Sequence, residues 1–442
     1  MQKDIKVLLW GYHYDDDIKA IEELEAENII SVKKWFGNHP KFNNNLEKLV
    51  HNPYTMINDK ESLLLPLEYD EELRSYFGIF IEGYSRIGYY KGQSPLELWH
   101  LFYLYSRYFY TLIKNDDIET ILFQNLPHHG VDAILYGIAK VMKVRTILTT
   151  QSLVSNRFWY IEDINDFGLF TNIKIKDKLT YSIEKGFEKN LFYMKNFKQK
   201  KSFCLGSLFN DFRRIFIMRR IHKPMRISGI FNKYEECKIY KKLSKEAYTK
   251  VVDFNKKYVY FPLQLQPELT TSILGAKYAD QLLALEHLAK LIPDDWCIYA
   301  KENPKQTARH RDVMFYKRLS KIKKVHYIPL AYNSHKLIQE SQFVSVVTGT
   351  AGWEAISGGK NVLVFGKAWY KTLPGVFTYT PDINFNNIIN YTIEHTLLEE
   401  EYSKLIGKTY TGIVDPAYKP IYPEYTSAKN IQHIKSFLKS VL

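Results

Sequence analysis

Residues 343–366, FVSVVTGTAGWEAISGGKNVLVFG, constrain the fold of this chain more than any other stretch. They open with a short apolar run rich in β-branched residues, which is typical of a strand buried on both faces. A turn of small residues leads into a helical stretch that begins at Trp353 and ends at Gly358-Gly359, before a second apolar run. This order predicts a strand, a crossover helix and a parallel strand.

The turn between the first strand and the helix is a candidate anion site. Thr348, Gly349, Thr350 and Gly352 carry no bulky side chain, so a ligand could approach the backbone closely. The N–H groups and dipole at a helix N-terminus bind phosphate. An ordinary tight connection without a ligand explains the turn equally well.

Length and composition predict a two-domain globular protein. The chain has 442 residues, of which 45% are hydrophobic and 25% charged, and this length exceeds what one ordinary core supports. No apolar run reaches the roughly 18 residues that cross a bilayer, so we expect a cytoplasmic location. Cys204, Cys237 and Cys297 are scattered without metal-ligand spacing, which predicts neither a disulfide framework nor a zinc site.

The net charge of +13 indicates attraction to anions, and the excess is concentrated in one segment. Residues 198–226 hold nine Lys and Arg against one acid, interleaved with Phe, Leu and Ile. This basic amphipathic pattern predicts contact either with the anionic surface of the inner membrane or with an anionic acceptor. It lacks a recognisable nucleic-acid-binding motif, so no nucleic-acid partner is expected.

Along the chain, strand and helix patterns alternate in two blocks, which predicts the α/β class with two Rossmann-like domains that face a cleft. The predicted divisions are an N-terminal domain at 1–175, a basic helical insert at 176–250 and a C-terminal domain at 251–410. Residues 411–442 are predicted to be a tail whose helix returns to the first domain. The aromatic stretch 96–112 is predicted to be a helix that is apolar on nearly every side and therefore buried.

Polar residues follow a predicted strand of the first block at 119–124. His128 lies in the loop after this strand, and Asp132 lies in the first turn of the next predicted helix. Ligands of open α/β sheets bind at such carboxyl ends of strands. A carboxylate there could act as a base or nucleophile, and a helix N-cap explains Asp132 equally well.

In the second block, three loops follow predicted strands and should converge at one edge of the sheet. They would supply hydroxyls, a cation, backbone donors and a carboxylate around a nucleotide phosphate. The candidate binding residues are Gln266, Glu268, Thr270, Thr271, Lys301, Asn303, Thr348, Gly349, Thr350, Gly352, Trp353 and Glu354.

Three segments within 258–370, YFPLQLQPELTT, YAKENPKQ and TGTAGWEAISGGKNVLVFGKAWY, resemble the bacterial capsule and surface-polysaccharide biosynthesis family of GT-B glycosyltransferases. In the first block, FQNLPHHGVDAILYGIAK resembles that family's Pro-His-x-x-x-Asp-x-x-Leu-Tyr segment, which places His128, Asp132 and Tyr136 by position. One position departs from the family: Asn303 stands where His is usual, so an acidic or ionic role there is not expected.

The resemblance implies transfer of a sugar from a CMP-activated donor, such as a Kdo or nonulosonate donor, to a glycan or glycolipid acceptor. For this reaction we expect Asp132 and His128 to be catalytic, Lys301 to bind the donor phosphate, and Glu354, in the first turn of its helix, to bind the ribose. A structural histidine, a solvated lysine and a glutamate stabilised by the helix dipole are the alternatives. No Asp-x-Asp pattern precedes a donor site, so we expect metal-independent transfer with no cofactor beyond the nucleotide sugar. A nucleotide-sugar epimerase, a UDP-hexose transferase and a non-catalytic polyanion-binding protein remain alternatives.

Overall fold

The computed structural model describes residues 4–39, 44–51, 53–86, 94–154, 156–175, 178–183, 228–249, 251–308 and 310–442. These residues form two compact units. Unit 1 comprises Met1–Leu179 and Ser403–Leu442, and unit 2 comprises Thr180–Tyr402.

The strands of unit 1 are β1 (Ile5–Trp10), β2 (Ile30–Gly37), β3 (Asn44–Asn45), β4 (Thr120–Phe123), β5 (Arg145–Gln151), β6 (Arg157–Ile161) and, late in the chain, β13 (Tyr410–Thr411). Those of unit 2 are β7 (Tyr258–Pro262), β8 (Cys297–Lys301), β9 (Val325–Ile328), β10 (Phe343–Val346), β11 (Val362–Val364) and β12 (Val376–Thr378).

The helices of the first part of the chain are α1 (Asp15–Ala26), α2 (Leu46–His51), α3 (Pro53–Met56), α4 (Leu67–Leu73), α5 (Phe77–Arg86), α6 (Pro95–Asn115) and α7 (Val131–Val141). They are followed by α8 (Ser228–Ala247), α9 (Gln281–Leu291), α10 (Val313–Leu319), α11 (Ser334–Glu340), α12 (Thr350–Ser357), α13 (Phe385–Asn390), α14 (His395–Ile406) and α15 (Ser427–Val441).

Each unit is built on a mostly parallel sheet. The strand order in unit 1 is β13-β6-β5-β4-β1-β2-β3, with antiparallel pairing only at β5–β6 and β6–β13 among the described strands. The order in unit 2 is β12-β11-β10-β7-β8-β9, and all its described pairs are parallel. The predicted α/β class with two Rossmann-like domains is confirmed. The predicted cleft stays a prediction.

The core of unit 1 includes residues from both ends of its sequence. Val7 and Leu9 of β1 and Ile21 of α1 pack with Ile434 and Phe437 of α15, and all five are buried. Lys435 of α15 also forms ion pairs of 2.8 and 2.7 Å with Glu23 and Glu27 on the α1 side. The predicted return of the C-terminal helix to the first domain is therefore confirmed.

Two sequence expectations concern helices. The α6 helix, predicted to be apolar on nearly every side, buries one face that includes Phe102 and Phe109, whereas Leu96 is 63% exposed. That prediction was wrong, because the Tyr and His side chains of the outer face reach solvent with their polar ends. The predicted insert lies mostly outside the described residues, but α8 at its end packs Tyr240 and Leu243 against the core of unit 2.

Candidate functional site

The topology of both sheets indicates where ligands bind. In unit 1, β1 lies between β2 and β4, and in unit 2, β7 lies between β8 and β10. In each unit, the next strand in the chain therefore pairs with one edge of the central strand, and a later strand pairs with its opposite edge. Ligands of open α/β sheets bind at such switch points, outside the carboxyl ends of the strands.

At the switch point of unit 2, one glutamine connects the two loops. The Gln264 amide nitrogen lies 3.3 Å from the Thr348 hydroxyl, and the Thr348 backbone N–H donates to the Gln264 side-chain oxygen at 2.8 Å. The Thr348 hydroxyl donates to the Thr270 carbonyl at 2.5 Å. Thr348, predicted to contact phosphate, thus joins the loops that follow β7 and β10.

The small residues of the turn have separate roles. Gly349 is the N-cap of α12, and the Tyr370 hydroxyl donates to its carbonyl. A Cβ atom on Gly352 would lie 2.2 Å from the Tyr370 hydroxyl, so this glycine accommodates a tyrosine. Trp353 is buried and stacks on Tyr402 with ring centroids 4.8 Å apart. Gly352 and Trp353 therefore pack inside unit 2.

Lys301, at the carboxyl end of β8, is a buried cation held by neutral groups. Its ammonium donates to the Tyr332 carbonyl at 2.6 Å and to the Ser334 hydroxyl at 2.8 Å. Burial lowers the pKa of Lys301 to about 8. Among the described residues, no carboxylate forms an ion pair with this ammonium.

Glu354 belongs to the same neighbourhood. Tyr260 lies 3.5 Å from the Ser334 hydroxyl, and its pKa is raised by burial and, to a smaller extent, by the charge of Glu354. Because α12 begins at Thr350, Glu354 lies in its second turn, and the expected position in the first turn was wrong. Stabilisation of this carboxylate by the helix dipole is accordingly weaker than expected.

Several other predicted ligands are engaged in loop structure. The Gln266 side chain donates to the Ala279 carbonyl at 2.7 Å and accepts from Gln281 at 3.1 Å. The Thr271 hydroxyl donates to the Leu265 carbonyl at 2.8 Å, and the Asn303 side-chain oxygen accepts the Lys305 N–H at 2.9 Å.

Glu268 and Thr270 flank the start of a π-helical turn, Leu269–Ile273. Glu268 is its N-cap and half-buried, whereas the side chain of Thr270 is exposed. Of the predicted residues in this loop, these two present the more accessible side chains.

Sequence reasoning did not identify the buried ion pair beside this site. Arg311 donates to both Glu302 oxygens, at 2.6 and 3.2 Å, and both side chains are fully buried. The Tyr327 hydroxyl lies 3.3 Å from the same carboxylate. Glu302 directly follows Lys301, so the pair holds the end of β8 and with it the backbone of Lys301.

In unit 1, Asp132 organises the loop between β4 and α7. Its carboxylate accepts the backbone N–H groups of His128, His129 and Ala133 at 2.9, 2.8 and 2.9 Å. Burial raises its pKa, but hydrogen bonding and charge from His129, with the contribution of His128, outweigh burial and hold the pKa below its usual value. Asp132 is therefore ionised and, at 2% exposure, buried.

Two histidines surround this carboxylate. The His128 Nδ1 atom lies 2.5 Å from the Leu126 carbonyl, and the His129 Nδ1 atom lies 3.5 Å from an Asp132 oxygen. The imidazole rings of His128 and His129 are 3.9 Å apart. His129 was missed in the sequence, although its position beside His128 was the available signal.

Tyr136 and two nearby carboxylates of this unit have structural partners. The Tyr136 hydroxyl accepts the Ile164 N–H at 3.2 Å, and Lys140 forms an ion pair of 2.7 Å with Asp163. Glu162 forms an ion pair of 2.5 Å with Arg145.

A second glutamine connects the loops at the switch point of unit 1. Gln124, after β4, accepts the Tyr12 N–H at 2.6 Å and donates to Asp17 at 2.5 Å. Burial raises the pKa of Asp17 to about 7. Asp17 belongs to an acidic run in the first turn of α1, a pattern typical of any helix N-terminus, so the sequence does not reveal that this carboxyl group is buried.

A search for membrane-spanning segments found none among the helices of the described residues.

The match to a known family lies mainly in unit 2. The family model described as capsule polysaccharide biosynthesis protein matches residues 194–399. Over these residues the chain is similar to the capsule polysaccharide biosynthesis family. The predicted family is thereby confirmed, and it agrees with the predicted glycosyltransferase activity.

Solved structures similar to this chain include two β-Kdo transferases of KpsC from Thermosulfurimonas dismutans. The 2,7 transferase is 12% identical with a TM-score of 0.35, covering 99% of this chain and 100% of that one. The 2,4 transferase is 9% identical with a TM-score of 0.32, covering 72% of this chain and 87% of that one.

A UDP-GlcNAc 2-epimerase from Methanocaldococcus jannaschii is 10% identical with a TM-score of 0.24 and covers 99% of both chains. These scores are too low to favour a transferase over an epimerase. No curated protein matches the chain.

Proposed function

We propose that this capsule-family protein is a glycosyltransferase that moves a sugar from a nucleotide-activated donor to a surface or capsular glycan. The family match over residues 194–399 supports this proposal. The resemblance of residues 258–370 favours a CMP-linked 3-deoxy sugar acid as donor, such as Kdo or a nonulosonate. Proposed partners are thus a nucleotide sugar and a glycan or glycolipid acceptor. The proposed membrane contact through 198–226 concerns residues outside those described.

The observation that carries the proposal is the environment of Lys301. A buried ammonium without an anionic partner among the described residues costs free energy, and a phosphate would offset that cost. Two of its three N–H donors are used by Tyr332 and Ser334, which leaves one for a ligand. Its place at the carboxyl end of β8, beside the switch point of unit 2, is where a donor phosphate is expected.

The proposed mechanism relies on stabilising the leaving group. When the bond between the anomeric carbon and the phosphate oxygen breaks, negative charge develops on the phosphate, and Lys301 stabilises it. Glu354 is proposed to accept hydrogen bonds from the ribose. The donor site is proposed to work without a metal ion, because the positive charge of Lys301 stabilises the negative charge on the leaving phosphate.

In unit 1, the proposed catalytic group is Asp132, supported by His128. The Asp132 carboxylate is ionised, as a base or nucleophile must be, and its three N–H donors fix its orientation. These donors also reduce its basicity.

Calorimetric titration with CMP, UDP and GDP tests the donor assignment. We expect CMP to bind most tightly, and a preference for UDP would overturn the sugar-acid assignment. Incubating an activated donor without acceptor tests the reaction class. Turnover to an epimer would replace the transferase proposal with an epimerase, whereas transfer that requires a glycan acceptor supports it.

A further inference from the structure

The loop between β4 and α7 brings two imidazoles and a carboxylate to one point. Each of these residues, His128, His129 and Asp132, offers one potential ligand atom, and the three atoms lie within 4.8 Å of one another. We propose that these three residues bind a divalent transition-metal cation of the Zn²⁺ class. Zinc takes nitrogen and oxygen ligands at about 2.0–2.2 Å, so modest rotation of the imidazoles would close the ligand set around one ion.

The tautomer of His128 suits metal binding. Its Nδ1 atom lies 2.5 Å from the Leu126 carbonyl, which can only accept, so the proton is on Nδ1. The lone pair is then on Nε2, which is the atom that would bind the ion. Metal-binding histidines usually donate their other ring N–H to a carbonyl or carboxylate in this way.

The carboxylate supplies the negative charge that a dication needs. The Asp132 carboxylate is held in place by the backbone N–H groups of His128, His129 and Ala133, which its oxygens accept at 2.8–2.9 Å. One of its oxygens lies 3.5 Å from the His129 Nδ1 atom, so carboxylate and imidazole already face the same space. Two nitrogens and one oxygen suit Zn²⁺, Co²⁺ or Ni²⁺ better than Mg²⁺ or Ca²⁺, which favour oxygen ligands alone.

The loop that carries these ligands is held by its surroundings. Gly130 has a φ of +88°, and a Cβ atom there would lie 2.7 Å from the Phe80 carbonyl oxygen and the Tyr84 nitrogen of α5. On the α5 side, a Cβ atom on Gly83 would lie 2.4 Å from the Gly130 nitrogen. This close backbone packing orders the loop before binding, which reduces the entropy cost of holding an ion.

The site also has a route to solvent. The side chain of His129 is 48% exposed, so positions opposite the three protein ligands can be filled by water or a substrate oxygen. A cation here departs from the expectation of metal-independent transfer, which rested on the missing Asp-x-Asp pattern. The cation proposed here lies in unit 1 and involves no such pattern.

Calorimetric titration of the full chain with Zn²⁺, after treatment with a chelator, tests the proposal. We expect one saturable site. Losing the hydrogen-bond partner of a metal ligand lowers metal affinity by roughly 10- to 100-fold, so losing a ligand itself in His129→Ala should lower it by at least as much. His100→Ala removes an exposed imidazole of α6 and should leave the isotherm unchanged. Mg²⁺ should not compete.

His129→Ala keeps its backbone N–H, and with it the bond to Asp132, so the variant is expected to fold, which its melting temperature checks. His128→Gln provides a second variant and should also lose the tight site. Equal Zn²⁺ affinity in the wild type and His129→Ala, with both folded, would mean that any bound zinc is held elsewhere. Absence of saturable binding to the wild type would also overturn the proposal.

Discussion

The switch points of the two units have the same strand arrangement but differ in the charge of their buried groups. In each, a glutamine after one central strand bonds to the loop after the neighbouring strand, Gln124 to Tyr12 in unit 1 and Gln264 to Thr348 in unit 2. In unit 2 the buried ionisable group beside this bridge is the cation Lys301, whereas in unit 1 it is the carboxyl group of Asp17. The same topology therefore places a buried cation at the edge of one sheet, and buried carboxyl groups, one of them near two histidines, at the edge of the other.

This difference suggests how a sugar-transfer reaction would be divided. The cationic edge suits the phosphate of a donor, and the edge with Asp132 and its histidines suits proton transfer, nucleophilic attack or metal binding. Substitutions that affect nucleotide binding should therefore lie in unit 2, and those that affect turnover alone should lie in unit 1.

The largest expected effect follows from Asp132→Asn. An amide is neither basic nor nucleophilic, so turnover should fall by about 10²–10⁴-fold, as for loss of an acid–base group, while nucleotide affinity stays unchanged. The amide N–H₂ cannot accept the N–H bonds of the carboxylate, so the melting temperature should fall as well. Turnover near the wild-type level would remove Asp132 from the reaction. If the wild type keeps its activity in chelator, the fall in turnover of Asp132→Asn reflects the loss of a base or nucleophile and not the loss of a bound metal.

Asp17→Asn should change the pH dependence of stability. The pKa of Asp17 is about 7 in the folded chain and near 4 when unfolded, so its contribution to stability is full below pH 4 and is lost as the pH rises through 7. Removing the charge should raise the free energy of unfolding by about 2–4 kcal/mol at pH 8, with little gain at pH 4. Denaturant titrations at both pH values measure this, and Asp15→Asn on the exposed side of α1 is the control. An equal effect at both pH values would contradict the raised pKa.

Lys301→Met tests the role of the buried cation in unit 2. Nucleotide binding should weaken by about 1.5–3 kcal/mol, the range for a hydrogen bond to a charged group. In the wild type, affinity should fall above pH 8, where Lys301 loses its proton. Calorimetry at pH 7 and pH 9 measures both effects, with Lys290→Met as a matched exposed-lysine control. Unchanged affinity in Lys301→Met would place the donor phosphate elsewhere.

The smallest expected effects concern the two glutamines that connect neighbouring loops, Gln124 and Gln264. Gln124→Leu and Gln264→Leu each leave a buried backbone N–H without its acceptor, which costs about 1–3 kcal/mol of stability. Gln264→Leu should also weaken nucleotide binding, because it releases the loop that carries Thr348, whereas Gln124→Leu should not. Loss of nucleotide affinity in Gln124→Leu would break the assignment of donor binding to unit 2.

The sequence predicted the frame of the molecule well. The strand, helix and strand predicted within 343–366 are β10, α12 and β11, because apolar periodicity reflects local burial. β6 was not predicted, although it pairs with its chain neighbour β5; its other partner, β13, is distant in the chain. Local pattern carries no information about such a partner.

The candidate site was predicted less completely. Lys301, Glu354, His128 and Asp132 were proposed from the sequence because they follow buried strands, but their hydrogen-bond partners were not predicted. Whether the Thr348 hydroxyl faces a ligand or the Thr270 carbonyl depends on how two loops pack, and no periodicity reports that. The same holds for Gln266, whose polar atoms are used by neighbouring loops.

By itself, the sequence determined two α/β units, the family match of residues 194–399 and the loops that hold the candidate residues, because hydrophobic period and glycine placement are local properties. Only the tertiary structure decided which ionisable groups are buried and what they face. Lys301 acquires its lowered pKa, and Asp132 its three N–H donors, from the packing of segments around them. Burial and hydrogen bonding depend on distance in space, and they set the chemistry of each edge.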